Sequence, residues 1–223
     1  MPNYRYQNDG RLHTRFSELV KCTPQQMYNT LMIRYGLFNN FENNFMRLGT
    51  FRHKQWQTES EKTGFLPVCF KEILPNKKNL KVSCAEFVIE NEIMPGVVLH
   101  STIDAYLAGD YVADYKTTSQ DANVYGSSQQ LIVYAYQLSL QGIDIKRAIF
   151  LLEKWDEKRE KIIGYQKNEK KIENWKIEKA KAWIEERVVA LKIGIEEFEK
   201  DHKEEIERAK ENRRNLQGSP ESD

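Results

Sequence analysis

The sequence is poor in cysteine and has no long apolar stretch. Its three cysteines, Cys22, Cys69 and Cys84, lie far apart and show no paired CxxC spacing, so they predict neither a disulfide framework nor an oxidising compartment. The first ten residues are polar, unlike a signal peptide, and the longest apolar stretch, 131–140, is too short to span a bilayer. We therefore expect a soluble, cytoplasmic protein without a membrane partner.

An excess of charge of either sign is also absent. Lys and Arg total 34 against 33 Asp and Glu, so the overall charge gives no sign of a nucleic-acid partner, and any basic groove must be local. The 223 residues, 40% of them hydrophobic, are enough for one well-buried domain with appendages. They are too few for two large domains.

The first quarter of the chain is predicted to be helical. Residues 15–35 have the pattern of two short helices, with Ser17 capping the first and Pro24 opening the second. Segment 41–62 is predicted as a further helix that carries His53 and buries its other face. The apolar residues that indicate this face are Phe45, Leu48, Phe51 and Trp56.

Strands are predicted in the middle of the chain. Segments 82–88 and 97–107 are rich in β-branched and aromatic residues, and a tight turn at 107–110 leads into 111–116. The last two segments should form a hairpin. A final strand at 148–152 is expected to return to the same sheet.

Two more helices complete the predicted fold. One is capped by Ser127 or Ser128 and stops at Gly142; its apolar positions are Leu131, Tyr134, Ala135 and Leu138. The other is a long amphipathic helix beyond Gly164, with apolar positions at Ile184, Val188, Leu191, Ile195 and Phe198. The fold class is therefore α/β, a central mixed sheet flanked by helices.

We divide the chain into three parts. Residues 1–165 are predicted to form the core with its amino-terminal helical segment, and 166–212 a helical extension packed on that core. Residues 213–223 lose their apolar positions and are expected to be a disordered tail.

Three charged residues around the predicted hairpin suggest catalysis. Gly109 is midway between Asp104 and Asp114, so folding the hairpin there brings the two carboxylates nearly opposite each other, roughly 5 Å apart. Such a pair repels unless a hard divalent cation neutralises it. Lys116 lies two residues beyond Asp114 and shares its strand face. A metal, two carboxylates and an ammonium group suit phosphodiester hydrolysis.

An Asp-x-Lys tripeptide alone is more typical of a solvent-exposed hairpin, and its sequence context decides between the two interpretations. Five features of known nucleases occur in order within residues 12–152. They are Gly49-Thr-Phe-Arg-His53 (GxxxH), Glu86 on a strand, Ile103-Asp104, Asp114-Tyr-Lys-Thr-Thr118 (the D-Y-K-T form of (D/E)xK) and Gln130-Leu-Ile-Val-Tyr134 (QxxxY). Together they resemble the RecB-like, phage-type exonucleases of the PD-(D/E)xK superfamily. Ser101 stands at the first position of the segment that corresponds to the family's G-x-x-D, where relatives usually have glycine. This departure from the family pattern is mild.

The resemblance implies a restriction-endonuclease-like core that cleaves DNA with Mg²⁺ or Mn²⁺. The catalytic residues that it implies are Asp104, Asp114, Lys116 and Glu86; the metal ligands are His53, Asp104, Asp114 and the backbone carbonyl of Tyr115; the substrate contacts are Gln130 and Tyr134. Glu90 or Glu92 remains an alternative to Glu86, because the spacing from this glutamate to the aspartate varies among relatives. Tyr134 as simple core packing also stays open.

The resemblance extends to the amino-terminal S-x-L-x-x-C-P signature, with Ser17, Leu19, Cys22 and Pro24 in nearly that pattern. In some relatives that cysteine binds an iron–sulfur cluster. No cysteine follows Cys84, so the remaining three ligands are missing and we expect no cluster.

The family implies an exonuclease more than an endonuclease, acting on single- or double-stranded DNA. A catalytically inactive DNA-binding module of the same fold and an RNA-processing nuclease remain alternatives. A protein partner in recombination or repair is an open expectation, and the sequence gives no oligomeric state.

Overall fold

The computed structural model describes residues 9–21, 23–38, 44–74, 80–107 and 111–217, with side chains described as far as 212. Cys22, the 108–110 part of the predicted turn and the last six residues of the predicted tail lie outside the described residues. The elements are β1 (Leu12–Arg15), α1 (Phe16–Leu19), α2 (Pro24–Tyr35), α3 (Asn44–Thr63), β2 (Val82–Met94), β3 (Val97–Leu107), β4 (Tyr111–Thr118), α4 (Gln130–Ser139), β5 (Arg147–Asp156), β6 (Lys161–Lys171), α5 (Asn174–Asp201) and α6 (Lys203–Gln217). Two 3₁₀-helices, Val68–Ile73 and Ala122–Ser127, lie between them.

Six strands of the described residues form one mixed sheet. From β3 the order runs through β4 and β5 to β6, and β3 also pairs with β1 and β2. The β1–β3 and β4–β5 pairs are parallel, and the remaining pairs are antiparallel. The predicted α/β class with a central mixed sheet and flanking helices is confirmed.

One edge of β3 is shared by two strands, and this leaves an opening in the sheet. Strand β2 pairs along 97–107 on one edge. On the other edge, β1 pairs with 97–100 and β4 with 105–107. Residues 101–104 therefore lie where β1 and β4 diverge from each other.

The two faces of the sheet are covered by different helices. Along β5 the side chains alternate between the faces, as pleating requires. Phe150 and Leu152 pack in the cluster that includes Leu131 and Leu138 of α4, whereas Leu151 packs with Trp56 of α3. Helices α4 and α3 therefore lie on opposite faces.

Strand β6 is the main element that the sequence analysis missed. It runs across the predicted boundary at 165 and pairs with β5 along its length, so residues up to Lys171 belong to the sheet. Its sequence is largely Lys, Gln, Asn and Glu because, within the described residues, it pairs on one side only and is mostly half-buried or exposed. Lysines on such an edge strand discourage pairing with another chain.

The predicted helix caps were partly wrong. Ser17 lies inside α1, whose N-cap is Arg15 in an extended conformation, because the chain enters this helix directly from β1. Pro24 does open α2, where Thr23 forms a capping box. Helix α4 has Gln129 as its N-cap, and the hydroxyl of Ser128 accepts from the backbone N–H of Gln130 at 3.3 Å.

Helix α3 packs less of its surface than its sequence suggests. Trp56 and Ser60 in its second half are buried, but Phe51 is 59% exposed. The predicted buried face is therefore wrong at Phe51, because the first half of the helix does not enter the core. This half borders the candidate site described below.

The carboxy-terminal helices extend further than predicted. Four of the five predicted apolar positions of α5 are buried, and Ile195 packs against the same cluster while partly exposed. Helix α6 continues to Gln217, five residues into the segment predicted to be a tail, since 213–217 consists mostly of residues that favour helix. No helix of the described part of the chain combines the length and apolar character needed to cross a membrane.

A buried amide ties α4 to β3. Gln137 is fully buried; its Nε2 donates to the carbonyl of Leu99 at 2.9 Å, and its Oε1 accepts from the Ser101 hydroxyl at 2.5 Å. We expect Gln137→Met to lower the free energy of unfolding by about 2 kcal/mol, because it leaves a buried carbonyl and a buried hydroxyl unpaired.

Urea denaturation measures this effect. The exposed Gln141→Met is the matched control and should change stability by less than about 0.5 kcal/mol. Adding Ser101→Ala to Gln137→Met should recover part of the loss. A Gln137→Met protein as stable as the control would contradict this account.

Candidate active site

Asp104 lies where the β3–β4 ladder ends. The last described pair before the strands separate is Ala105 with Ala113, so Asp104 and Asp114 occupy the next positions on adjacent strands, as predicted. The Oδ2 of Asp104 accepts a hydrogen bond from the backbone N–H of Tyr115 at 2.6 Å. A side-chain carboxylate thus satisfies a buried N–H beyond the ladder.

Glu86 is held in an unusual backbone conformation. The β2–β3 register pairs Ala85 with Ala105 and Phe87 with Ile103, which places Glu86 opposite Asp104. Its φ is +52°, a region that non-glycine residues rarely adopt, and such strain is often concentrated at functional sites. Burial raises the pKa of Glu86.

His53 extends from α3 to both carboxylates. Its Nε2 lies 2.9 Å from Oδ1 of Asp104, and its Nδ1 lies 3.5 Å from Oε1 of Glu86. The hydrogen bond with Asp104 is the main cause that raises the pKa of His53. The ring also packs edge-on against Tyr115, with centroids 5.9 Å apart.

These three residues could hold a metal ion. One ligand atom from each of His53, Glu86 and Asp104 lies within 4.8 Å of the other two. Oε1 of Glu86 is buried and has no hydrogen-bond partner among the described residues. A bound cation would compensate this oxygen. Two carboxylates with one imidazole fit a divalent cation, and the oxygen ligands suit Mg²⁺ or Mn²⁺.

Asp114 stands beside this cluster and is not one of its three members. It is 1% exposed, and its Oδ2 lies 2.5 Å from Nζ of Lys116. Burial raises the pKa of Asp114 to about 6, although the ammonium group of Lys116 opposes this. The predicted Asp114–Lys116 neighbours therefore form an ion pair whose carboxylate is buried and whose ammonium group is partly exposed. Tyr115, predicted to offer its carbonyl, contacts Asp104 through its N–H.

Gln130 and Tyr134 contact Asp114 from α4. Nε2 of Gln130 donates to Oδ1 of Asp114 at 2.9 Å and to the Tyr134 hydroxyl at 2.6 Å, and that hydroxyl lies 3.3 Å from the same carboxylate oxygen. They share a helix face, as their spacing predicts. This contact with a carboxylate was not part of the sequence prediction.

Six of the eight predicted site residues line one cleft of about 700 Å³, and the other two, Asp114 and Tyr115, lie behind its wall. Its walls include His53, Glu86, Asp104, Lys116, Gln130 and Tyr134. Arg15, Phe16 and Ser17 line another part, and the sequence analysis gave them no such role. The only signal available there was the amino-terminal signature.

The two alternative glutamates lie away from the metal-ligand cluster. Glu90 lines the cleft but contacts Nδ1 of His100 at 3.0 Å, and Glu92 accepts from the backbone N–H of Gly96. Within the described residues Glu86 is the glutamate beside Asp104.

A buried ion pair fixes α3 to the sheet next to His53. Arg52 donates to both carboxylate oxygens of Glu153 on β5, with Nε at 2.8 Å from Oε1, and its guanidinium lies over the Trp56 ring. Glu153 is fully buried. Arg52 occupies a variable position of the GxxxH motif and Glu153 belongs to no motif, so neither was predicted from the sequence. The charged Glu153 within an apolar strand was the available signal.

Solved structures of two exonucleases share this fold. LHK-Exo, solved in complex with dAMP, is 13% identical; the match covers 87% of this chain and 94% of that one, with a TM-score of 0.50. LHK-Exo is an alkaline exonuclease from Laribacter hongkongensis. A phage-related exonuclease from Haemophilus somnus 129PT is 15% identical over 86% and 96% of the chains, also with a TM-score of 0.50.

At these identities the likeness is one of fold. No protein-family model matches the sequence, and no curated protein matches it. The fold is therefore that of nuclease structures, and what the chain does must be argued from its own residues.

The Arg52–Glu153 pair should be needed for stability. We expect Arg52→Met to lower the free energy of unfolding by about 3 kcal/mol, because it leaves a fully buried carboxylate without its cation. Chemical denaturation of this variant and of Lys54→Met, an exposed position on the same helix, measures the difference. A double Arg52→Met, Glu153→Met variant should regain most of the loss. Equal stability of the two single variants would show that the ion pair contributes nothing.

Proposed function

We propose that this protein is a divalent-metal-dependent nuclease that hydrolyses phosphodiester bonds of DNA. The observation that carries this proposal is the convergence of His53, Glu86 and Asp104, with ligand atoms within 4.8 Å of one another, beside the Lys116–Asp114 pair. Carboxylates, an imidazole and an ammonium group in one cleft match the needs of phosphoryl chemistry.

In this proposal each residue of the site has a separate role. His53, Glu86 and Asp104 would hold Mg²⁺ or Mn²⁺; whether Asp114 and the Tyr115 carbonyl add ligands stays a prediction. The ion, when bound, polarises the phosphoryl oxygen and lowers the pKa of a water molecule. Lys116 orients the attacking water and offsets the negative charge that develops on the phosphate.

Asp114, Gln130 and Tyr134 position the ammonium group in this scheme. Asp114 holds Nζ of Lys116 at 2.5 Å, and the two α4 residues hold the Asp114 carboxylate in turn. Gln130 and Tyr134 also line the cleft, so we assign them a contact with the DNA backbone as well. Groups fixed in this way need little reorganisation during the reaction.

We further propose that the enzyme is an exonuclease acting in DNA recombination, repair or processing. The support is the fold shared with two structures named as exonucleases. DNA, single- or double-stranded, is the proposed partner. RNA cleavage and a catalytically inactive DNA-binding module are the alternatives that the following experiment separates.

The test is degradation of end-labelled single- and double-stranded DNA and RNA. The purified protein is incubated with each substrate in Mg²⁺, Mn²⁺ or EDTA. A ladder or mononucleotide product from DNA that requires a divalent cation supports the proposal, and circular DNA that survives identifies an exonuclease. DNA binding without cleavage in any metal would establish the inactive module instead.

Substitutions identify the residues that carry the activity. Asp104→Asn and Lys116→Ala should each lower the cleavage rate at least about a hundredfold, and Asp104→Asn should fold normally because the amide oxygen still accepts from Tyr115. Glu86→Gln should lose cleavage activity. The matched control is Glu90→Gln, which should retain it. Steady-state cleavage and circular dichroism measure both properties. An active Glu86→Gln with an inactive Glu90→Gln would refute the assignment.

Asp114→Asn should separate activity from stability. We expect loss of cleavage, because Lys116 loses its partner, without a fall in Tm. Burial raises the pKa of Asp114 to about 6 in the folded protein, so the ionised form costs stability at pH values above the pKa of the unfolded carboxyl, and a neutral amide removes this cost. The Lys116 side chain is 30% exposed, so water can solvate its ammonium group when the carboxylate is gone, unlike the fully buried Glu153 in Arg52→Met. Thermal unfolding at pH 8 measures it. A Tm several degrees below wild type would contradict the interpretation.

A further inference from the structure

A second cleft adjoins the candidate active site. It has a volume of about 610 Å³, and its walls include Gly49 and Thr50 of α3 and Thr117 of β4. It shares His53 and Lys116 with the first cleft. The candidate catalytic groups therefore lie where two clefts meet.

The second cleft differs from the first in the charged groups of its wall. Its described lining residues include Lys116 and His53 but no carboxylate, whereas Glu86, Glu90 and Asp104 line the first cleft. A phosphate group in the second cleft would face the ammonium group of Lys116 with no carboxylate in the described wall.

Gly49 is placed to keep this cleft open. It lies inside α3, one turn before His53, and a Cβ built at this position would meet nothing within 4 Å. Packing therefore does not require a glycine here, and its φ is not in the left-handed region. A glycine inside a helix destabilises it relative to alanine, so its presence points to something that occupies the open space during function.

Two buried polar atoms of the cleft-lining residues also lack partners. Nε1 of Trp56 and Oγ1 of Thr117 have no hydrogen-bond partner among the described residues. Unpaired buried donors are uncommon in folded proteins and often indicate an ordered water or ligand. A ligand rich in acceptor oxygens would satisfy them, directly or through water.

From these observations we infer that the second cleft is a subsite for the phosphodiester backbone next to the scissile phosphate. Gly49 provides the room in which the strand passes α3, and the ammonium group of Lys116 attracts its phosphate. This inference rests on the proposed nuclease function. It adds that the cleaved strand binds in both clefts, one on each side of the catalytic groups. Gly49 is then a residue that determines substrate binding.

The test fills the open space without disturbing the fold. Gly49→Ala and Gly49→Leu add side chains of increasing size, and both residues favour helix, so Tm should rise by about 2–4 °C or stay unchanged. We expect kcat/KM for DNA to fall with side-chain size, by at least about tenfold for leucine. The matched control is Thr58→Ala, an exposed site on the same helix outside both clefts; it should also raise Tm and leave cleavage unchanged.

A binding measurement makes the outcome independent of cleavage. Calorimetry in EDTA compares the affinity of a thymidylate octanucleotide with that of a dinucleotide. The wild type and Thr58→Ala should prefer the longer strand, and Gly49→Leu should lose at least about tenfold of that preference. Unchanged preference, or a fall in Tm for Gly49→Leu, would overturn the inference. If the wild type cleaves no DNA, the proposed function fails, while the calorimetry still decides whether the cleft binds a strand.

Discussion

The hydrogen bond from the Tyr115 N–H to the Asp104 carboxylate is the contact on which the rest of the site depends. The β3–β4 ladder is described as far as Ala105 and Ala113, and the buried N–H beyond it needs an acceptor. By supplying one oxygen to the backbone, Asp104 is fixed in orientation and directs the other oxygen to His53. A backbone requirement of the sheet thus orients a proposed metal ligand.

The separation of the strands at this point lets both faces of the sheet contribute to one site. In a continuous ladder, residues above and below the sheet would be kept apart by the backbone. Here His53 approaches from α3 on one face, whereas Gln130 and Tyr134 approach from α4 on the other. They meet the neighbouring carboxylates Asp104 and Asp114. The convergence of side chains from five elements is a consequence of one local break in pairing.

The α/β class and the neighbouring positions of Asp104 and Asp114 could be predicted from the sequence. The edge strand, the backbone conformation of Glu86 and the partner of Glu153 could not. The position of Asp104 and Asp114 about a common turn follows from strand periodicity, which is a property of the backbone. Strand β6 was missed because an edge strand does not need an apolar face. The positive φ of Glu86 and the partner of Glu153 depend on tertiary contacts, which leave little mark on local sequence. The contacts of Asp114 with Gln130 and Tyr134 on α4 depend on tertiary structure in the same way.

The charges of the site explain why buried polar contacts hold the neighbouring helices to the sheet. Three carboxylates, Glu86, Asp104 and Asp114, lie near two basic groups, His53 and Lys116, and burial raises the pKa of both Glu86 and Asp114. Such a cluster repels itself and costs folding free energy until a cation joins it. The buried contacts of Arg52 with Glu153 and of Gln137 with β3 hold α3 and α4 against that repulsion, on opposite faces. Polar contacts that belong to the core therefore keep the proposed metal site from relaxing.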